Sequence, residues 1–86
     1  MTFEGAEIRE QNVSFAIVVV KSHVVDDAVR ARDCAANFGR YFPGRPVILM
    51  AQDSRGRPTY RGRPDIVRFL ASISMTRIPW RRYRVS

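Results

Sequence analysis

The sequence predicts a small α/β protein. We expect an α+β-like two-layer sandwich with the element order β-α-β-β-α-β, in which a small mixed sheet has two helices packed on one face. Three observations predict this class. The run from Val13 to Val20 is rich in β-branched residues and has the length of a strand. Two segments show helical spacing of apolar residues, and between them residues 53–56 have the composition of a hairpin turn.

The first half of the chain contains one clear strand and one clear helix. Residues 1–12 are polar and weakly patterned, so we expect a loosely ordered lead-in with at most a short strand near Glu7–Arg9. Residues 13–86 then form a single α/β domain. The strand over 13–20 is apolar on both faces, which is typical of a strand at the centre of its sheet. Apolar residues then recur at helical spacing after an aspartate pair suited to capping, which predicts a helix over 27–40.

The second half begins with a predicted hairpin. Residues 47–51 are apolar with strand character, and the turn at 53–56 has Asp at its start and Gly at the position that requires a positive φ. Residues 57–61 should therefore return antiparallel to the preceding strand. Because Pro58 lacks the N–H that a sheet requires, we place this strand at an edge.

A helix and a last strand complete the predicted fold. Pro64 suits the first position of a helix, and apolar residues follow it at helical spacing: Ile66, Phe69, Leu70 and Ile73. Pro79 prevents the helix from continuing. Residues 80–85 are predicted to form the last strand, with Tyr83 and Val85 facing inward.

Length and composition exclude several classes of protein. The chain has 86 residues, enough for one domain, and its longest apolar run is far below the roughly 20 residues of a membrane span. Cys34 and His23 are the only residues of their types, which leaves no internal disulfide and no set of four zinc ligands. We therefore expect a cytoplasmic protein that has no metal, no cofactor and no contact with membranes.

The sequence also predicts no catalytic residues. His23 lies close to Asp26 and Asp27, but capping of the following helix accounts for the aspartates. No glycine-rich phosphate loop and no nucleophile elbow occurs. We expect that the protein is not an enzyme.

Charge is distributed unevenly along the chain. The net charge is +7, but residues 1–43 hold five basic and six acidic groups, whereas residues 44–86 hold ten arginines and two aspartates. Such asymmetry indicates a polyanionic partner, either a nucleic acid or an acidic protein. Because fourteen of the fifteen basic residues are arginine, a skew of genome composition is an alternative explanation.

A near-repeat of Arg-Gly-Arg-Pro is the most specific local feature. If the segment is extended, four arginines share one strand face and form a ladder that could follow a phosphate backbone: Arg55, Arg57, Arg61 and Arg63. The tetrapeptide resembles the core of the AT-hook, which implies binding in the minor groove of A·T-rich DNA. Here, however, the two copies lie between a strand and a patterned helix. The alternative interpretation is a solvated edge strand, whose charges and proline prevent pairing with other chains.

The C-terminal segment adds a second basic cluster with aromatic residues. Trp80 could stack on a base while three arginines contact phosphates: Arg81, Arg82 and Arg84. Alternatively, Trp80 belongs to the core and only the arginines are exposed. Arg82 and Arg84 would then be surface charges near the ladder, and the two basic segments would form one patch.

Two hypotheses on function follow. The first is a domain that binds a polyanion, above all nucleic acid, through these seven arginines and Trp80. The second is a domain for protein–protein interaction or homodimerisation, which would use the sheet face that two helices on the other side leave uncovered.

Overall fold

The computed structural model describes residues 1–85 and contains one five-stranded mixed sheet. In chain order the strands are β1 (Thr2–Glu10), β2 (Val13–Val19), β3 (Val47–Gln52), β4 (Pro58–Arg61) and β5 (Arg81–Arg84). Within the same residues the helices are α1 (Ser22–Val25), α2 (Ala28–Phe38) and α3 (Pro64–Ala71), and short 3-10 turns lie at Gly39–Tyr41 and Met75–Arg77. The predicted class, a small mixed sheet with helices packed against it, is confirmed.

The strands lie in the order β4-β3-β2-β1-β5. β2 and β3 are parallel, and the other neighbouring pairs are antiparallel. As predicted, β2 is central, and β4 lies at an edge with Pro58 as its first residue, where a missing N–H is tolerated. β5 forms the opposite edge.

The N-terminal segment corrects one prediction. Residues 2–10, for which the sequence predicts a loosely ordered lead-in, form β1, which pairs with β2 on one side and β5 on the other. Its turn to β2 consists of Gln11 and Asn12, both with positive φ (49° and 67°), as in the type I′ turns of tight hairpins. Ala6, near the middle of the strand, is fully buried. The prediction was wrong because β1 has few large apolar residues and is ordered by its two neighbours.

The helices also differ from the prediction, since α2 and α3 lie on opposite faces of the sheet. Alternate residues of β2 and β3 divide between two core clusters. One set packs against α1, α2 and the loop after α2: Ala16, Val18, Leu49 and Ala51. The other set packs against α3: Phe15, Ile17, Ile48 and Met50. The central strands are therefore covered on both sides, in three layers rather than two. This arrangement explains why residues 15–18 are apolar at every position, and it removes the uncovered sheet face on which the dimer hypothesis relied.

Local signals at the helix starts behave as predicted. Asp27 Oδ1 accepts hydrogen bonds from the backbone N–H groups of Val29 (2.9 Å) and Arg30 (3.1 Å), which caps α2. The bond from Arg30 is the main reason that the pKa of Asp27 lies below its usual value. Pro64 is the first residue of α3. No helix within residues 1–85 has the length and apolar character needed to cross a membrane.

Candidate nucleic-acid interface

The two basic segments predicted to form one patch lie at opposite edges of the sheet. The segment 55–63 surrounds β4, the segment 80–84 contains β5, and β3, β2 and β1 lie between them. With about 4.8 Å between neighbouring strands, the two edges are about 19 Å apart. The prediction of a single patch is therefore wrong. Strand order is set by long-range pairing, and the sequence does not show which segments become neighbours.

The four arginines of the near-repeat do not form a strand ladder. Only Arg61 belongs to β4, while Arg55 and Arg57 lie in the hairpin turn and Arg63 immediately precedes α3. All four nevertheless remain on one edge of the molecule, because the turn, the edge strand and the helix start follow one another within nine residues. The predicted ladder is replaced by a cluster that curves around the end of the sheet.

Asp53 builds the turn that presents the first two arginines. Its Oδ1 accepts hydrogen bonds from the backbone N–H groups of Arg55 (2.8 Å) and Arg57 (2.9 Å), and its Oδ2 lies 3.2 Å from Arg57 Nε. Gly56 completes the turn with a φ of 79°. The backbone bond from Arg57 is the main reason that the pKa of Asp53 lies below its usual value. Arg55 forms no ion pair with any carboxylate among residues 1–85.

Arg61 is anchored to the helical layer. It lies opposite Leu49 in the β3–β4 register and so points to the side of α2, where its Nε donates a hydrogen bond to the carbonyl oxygen of Val25. Across a groove of about 300 Å³ lies Arg32 of α2, and small residues line the rest of the groove: Ala28, Ala31, Ala35 and Gly62. Arg32 was not among the predicted site residues, because it lies 29 residues from Arg61 and only the crossover of α2 brings the two residues to one groove.

The remaining charges on this edge are partly balanced. Arg63 Nε lies 2.8 Å from Asp65 Oδ1, and this hydrogen bond lowers the pKa of Asp65. At the border of the edge, Arg30 and Asp27 form a 3.9 Å pair. We name as the hairpin surface the five arginines 32, 55, 57, 61 and 63 with the two carboxylates Asp53 and Asp65. It carries a clear excess of positive charge.

The β5 edge is a separate and differently built surface. Trp80 is half-buried against the α3-side core, and its indole N–H donates to the carbonyl oxygen of Met75 at 3.0 Å, which favours the interpretation as a core residue.

The arginines of the β5 edge lie close to other residues of β1 and β5. Arg81 lies over the ring of Tyr83 at 5.3 Å, and Arg82 lies 4.0 Å from Glu4. Arg84 pairs in register with Thr2. The arginines of this edge therefore lie among the residues of β1 and β5 and have no contact with the hairpin surface.

Other chemistry-bearing residues are dispersed. Cys34 is a free, half-buried thiol, and burial raises its pKa. Within residues 1–85, no group of three or more His, Cys, Asp or Glu side chains is placed to hold a metal ion.

Comparison with known proteins adds no functional information. No family model matches the chain, and no curated protein or solved structure is significantly similar to it.

Proposed function

We propose that the protein binds nucleic acid through the hairpin surface, chiefly by contacts to phosphate groups. The observation that supports this proposal best is the gathering of five arginines against two carboxylates at one sheet edge, on segments that are distant in sequence. Arginine is the residue best suited to such contacts because its planar guanidinium can bond two phosphate oxygens at once.

The groove between Arg32 and Arg61 supplies the geometry for one such contact. Its small side chains leave room for a phosphate group to approach both guanidinium groups, and Arg61 is held in place by its bond to Val25. Arg55 at the turn extends the positive surface along the edge. Contacts of this kind fix position on a backbone without reading bases, so we expect little sequence preference.

The test compares two double variants of equal charge in a binding titration. Arg55→Gln/Arg57→Gln removes two charges from the hairpin surface, and Arg82→Gln/Arg84→Gln removes two charges from the β5 edge. Each double variant contains one arginine that pairs with a carboxylate and one that does not. Fluorescence anisotropy with labelled single- and double-stranded oligonucleotides, over a range of salt concentrations, measures the affinity of each.

We expect the hairpin variant to bind several-fold more weakly and to show a salt dependence whose slope is smaller by about 1–2, since each lost phosphate contact removes about 0.7–0.9 from that slope. The β5 variant should retain most of the affinity. Equal weakening of both variants would show that net charge alone drives association. No binding of any oligonucleotide at low salt would overturn the proposal.

A further inference from the structure

β5 covers only the first half of the outer edge of β1. Met1 and Val85 exchange two backbone hydrogen bonds (2.8 and 3.2 Å), so the odd-numbered residues of β1 direct their N–H and C=O groups toward β5. The pairing with β5 ends at Gly5. The next two odd residues, Glu7 and Arg9, therefore direct their backbone groups outward, and no residue among 1–85 forms a hydrogen bond with them.

The side chains on this open edge are complementary to those of a second copy. In antiparallel self-pairing centred on Ile8, Glu7 of one copy lies opposite Arg9 of the other, and the outward backbone groups of both residues face each other in the hydrogen-bonded geometry. Centring the pair on either neighbouring residue would place Glu7 against Glu7 or Arg9 against Arg9. Opposite charges thus select one register.

Glu7 and Arg9 can each form a further ion pair. Glu7 Oε1 lies 2.9 Å from Arg45 Nη1, which leaves its other oxygen available, and Arg9 forms no ion pair with any carboxylate among residues 1–85. In the selected register, Arg9 of each copy gains the carboxylate of Glu7 from the other.

The opposite face of the same edge is mainly apolar. Ile8 is half-buried on the side of α3 and lines a groove of about 480 Å³ with Phe69, Ile73 and Pro79, and the charged residues Glu10 and Arg77 also line this groove. Self-pairing about Ile8 places the two isoleucines side by side, at the short distance of a non-hydrogen-bonded pair, and joins the two grooves. The contact would combine backbone bonds, ion pairs on one face and apolar burial on the other.

The other two free edges are built against self-pairing. β4 begins with Pro58 and contains Arg61, so its ladder lacks a donor. In β5 the outward residues Arg82 and Arg84 would meet each other in a symmetric pair, and like charges directly opposite are destabilising. Among the edges within residues 1–85, β1 alone has charges that match under a twofold axis.

We propose that the protein forms a homodimer by antiparallel pairing of β1 over Glu7–Arg9, with Ile8 on the twofold axis. The two sheets become one continuous sheet. The proposal does not depend on nucleic-acid binding, because the hairpin surface lies at the opposite edge of each sheet.

Charge exchange tests the register. Glu7→Arg alone places Arg against Arg9, and Arg9→Glu alone places Glu against Glu7, so each variant should self-associate about 10-fold more weakly than the wild type. An equimolar mixture of the two variants restores both ion pairs, and we expect a heterodimer in sedimentation equilibrium. Asp26→Asn is the control, because Asp26 is an exposed carboxylate at the end of α1, which packs against β3 and β4 and not against β1. Circular dichroism and thermal melts verify that each variant is folded.

Amide exchange provides an independent measurement on the wild type. The N–H groups of Glu7 and Arg9 should gain protection as the protein concentration rises, whereas that of Ile8, which bonds to β2, should not change. A wild-type monomer at millimolar concentration would overturn the proposal. So would a dimer that neither charge reversal weakens, or a mixture that associates no better than each variant alone.

Discussion

The ring of Tyr83 in β5 lies parallel to the ring of Phe3 in β1, with centroids 5.0 Å apart and planes inclined by 11°. The two residues are direct partners in the β1–β5 register, and Phe42 meets both rings edge-on. This cluster fixes both ends of the chain to the core on the side of α2. It explains how a polar N-terminal segment and an arginine-rich C-terminal segment both become strands.

We expect Tyr83→Ala to lower the free energy of unfolding by about 2–3 kcal/mol, because it removes a partly buried aromatic ring and its stacking contact with Phe3. Tyr83→Phe is the matched control. The hydroxyl of Tyr83 is buried without a hydrogen-bond partner among residues 1–85, so the loss of this group should change the free energy of unfolding by less than about 0.5 kcal/mol. Urea denaturation measures both. A Tyr83→Ala variant as stable as Tyr83→Phe would show that the stack contributes nothing.

The same cluster shows what the sequence could and could not predict. Local signals were sufficient for the Asp27 cap, the turn at Asp53 and the start of α3 at Pro64, because each depends on a few adjacent residues. Only a short strand near Glu7–Arg9 was predicted within β1, because the order of the whole strand comes from Tyr83, about 80 residues away, and from a type I′ turn without a glycine. The placement of α3 was wrong because periodicity identifies the apolar stripe of a helix but not the sheet face that receives it.

Prediction of the candidate site also succeeded for adjacent residues and failed for residues that are distant in sequence. The pattern of arginines identified residues 55–63 as basic and exposed, and all four of these arginines lie at one edge. Joining them to Arg82 and Arg84 required the order of strands, which the chain sets only through long-range pairing. Arg32 was missed because its neighbour Arg61 is brought to it by the crossover between β2 and β3.

A second stability prediction concerns Gly62, at the junction between β4 and α3. Its φ is +154°, and a Cβ built there would lie 2.5 Å from Ile48 Cδ1 in the core. We expect Gly62→Ala to lower the free energy of unfolding by about 2–3 kcal/mol, through backbone strain and displacement of Ile48. Gly39→Ala is the control. Gly39 has a helical φ of −57° and open space around its Cα, so alanine should be neutral or stabilise by up to about 1 kcal/mol. Thermal melts of the two variants that shift equally would contradict this account.

Acid should loosen the hairpin through Asp53. Its pKa is lower in the folded protein than in the unfolded chain, chiefly because of the backbone hydrogen bond from Arg57. The stabilisation is therefore fully present above the unfolded value of about 3.9 and is lost as the pH falls through the lower folded value. NMR titration should show the amide resonances of Arg55 and Arg57 moving together in that range. Asp53→Asn retains an acceptor oxygen but cannot titrate, so these shifts should disappear, and their persistence would assign them to another group.

The thiol of Cys34 should react slowly with alkylating agents. It packs against the core on the side of α2, and burial raises its pKa, so less thiolate is present at neutral pH than for an exposed cysteine. We expect alkylation by iodoacetamide to be slower in the native protein than in urea, and to accelerate as the pH rises above 8. Mass spectrometry of timed samples measures both rates. Native and denatured chains that react equally fast would contradict the buried position.

Two arginines of the hairpin surface, Arg61 and Arg55, differ in what they contribute to stability and to the binding of nucleic acid. Arg61 donates to the carbonyl oxygen of Val25 and so connects β4 to α1, whereas Arg55 forms no ion pair among residues 1–85. We expect Arg61→Gln to lower the free energy of unfolding by about 1 kcal/mol and also to weaken binding of an oligonucleotide. Arg55→Gln should weaken binding without a change in the urea midpoint. Arg61→Lys retains the charge but not the planar donor, so it should retain the salt dependence of binding while losing much of the stability that the bond to Val25 contributes. If Arg61→Lys is as stable as the wild type, the bond to Val25 does not hold the edge strand, and the groove beside Arg32 lacks the rigidity that phosphate binding there requires.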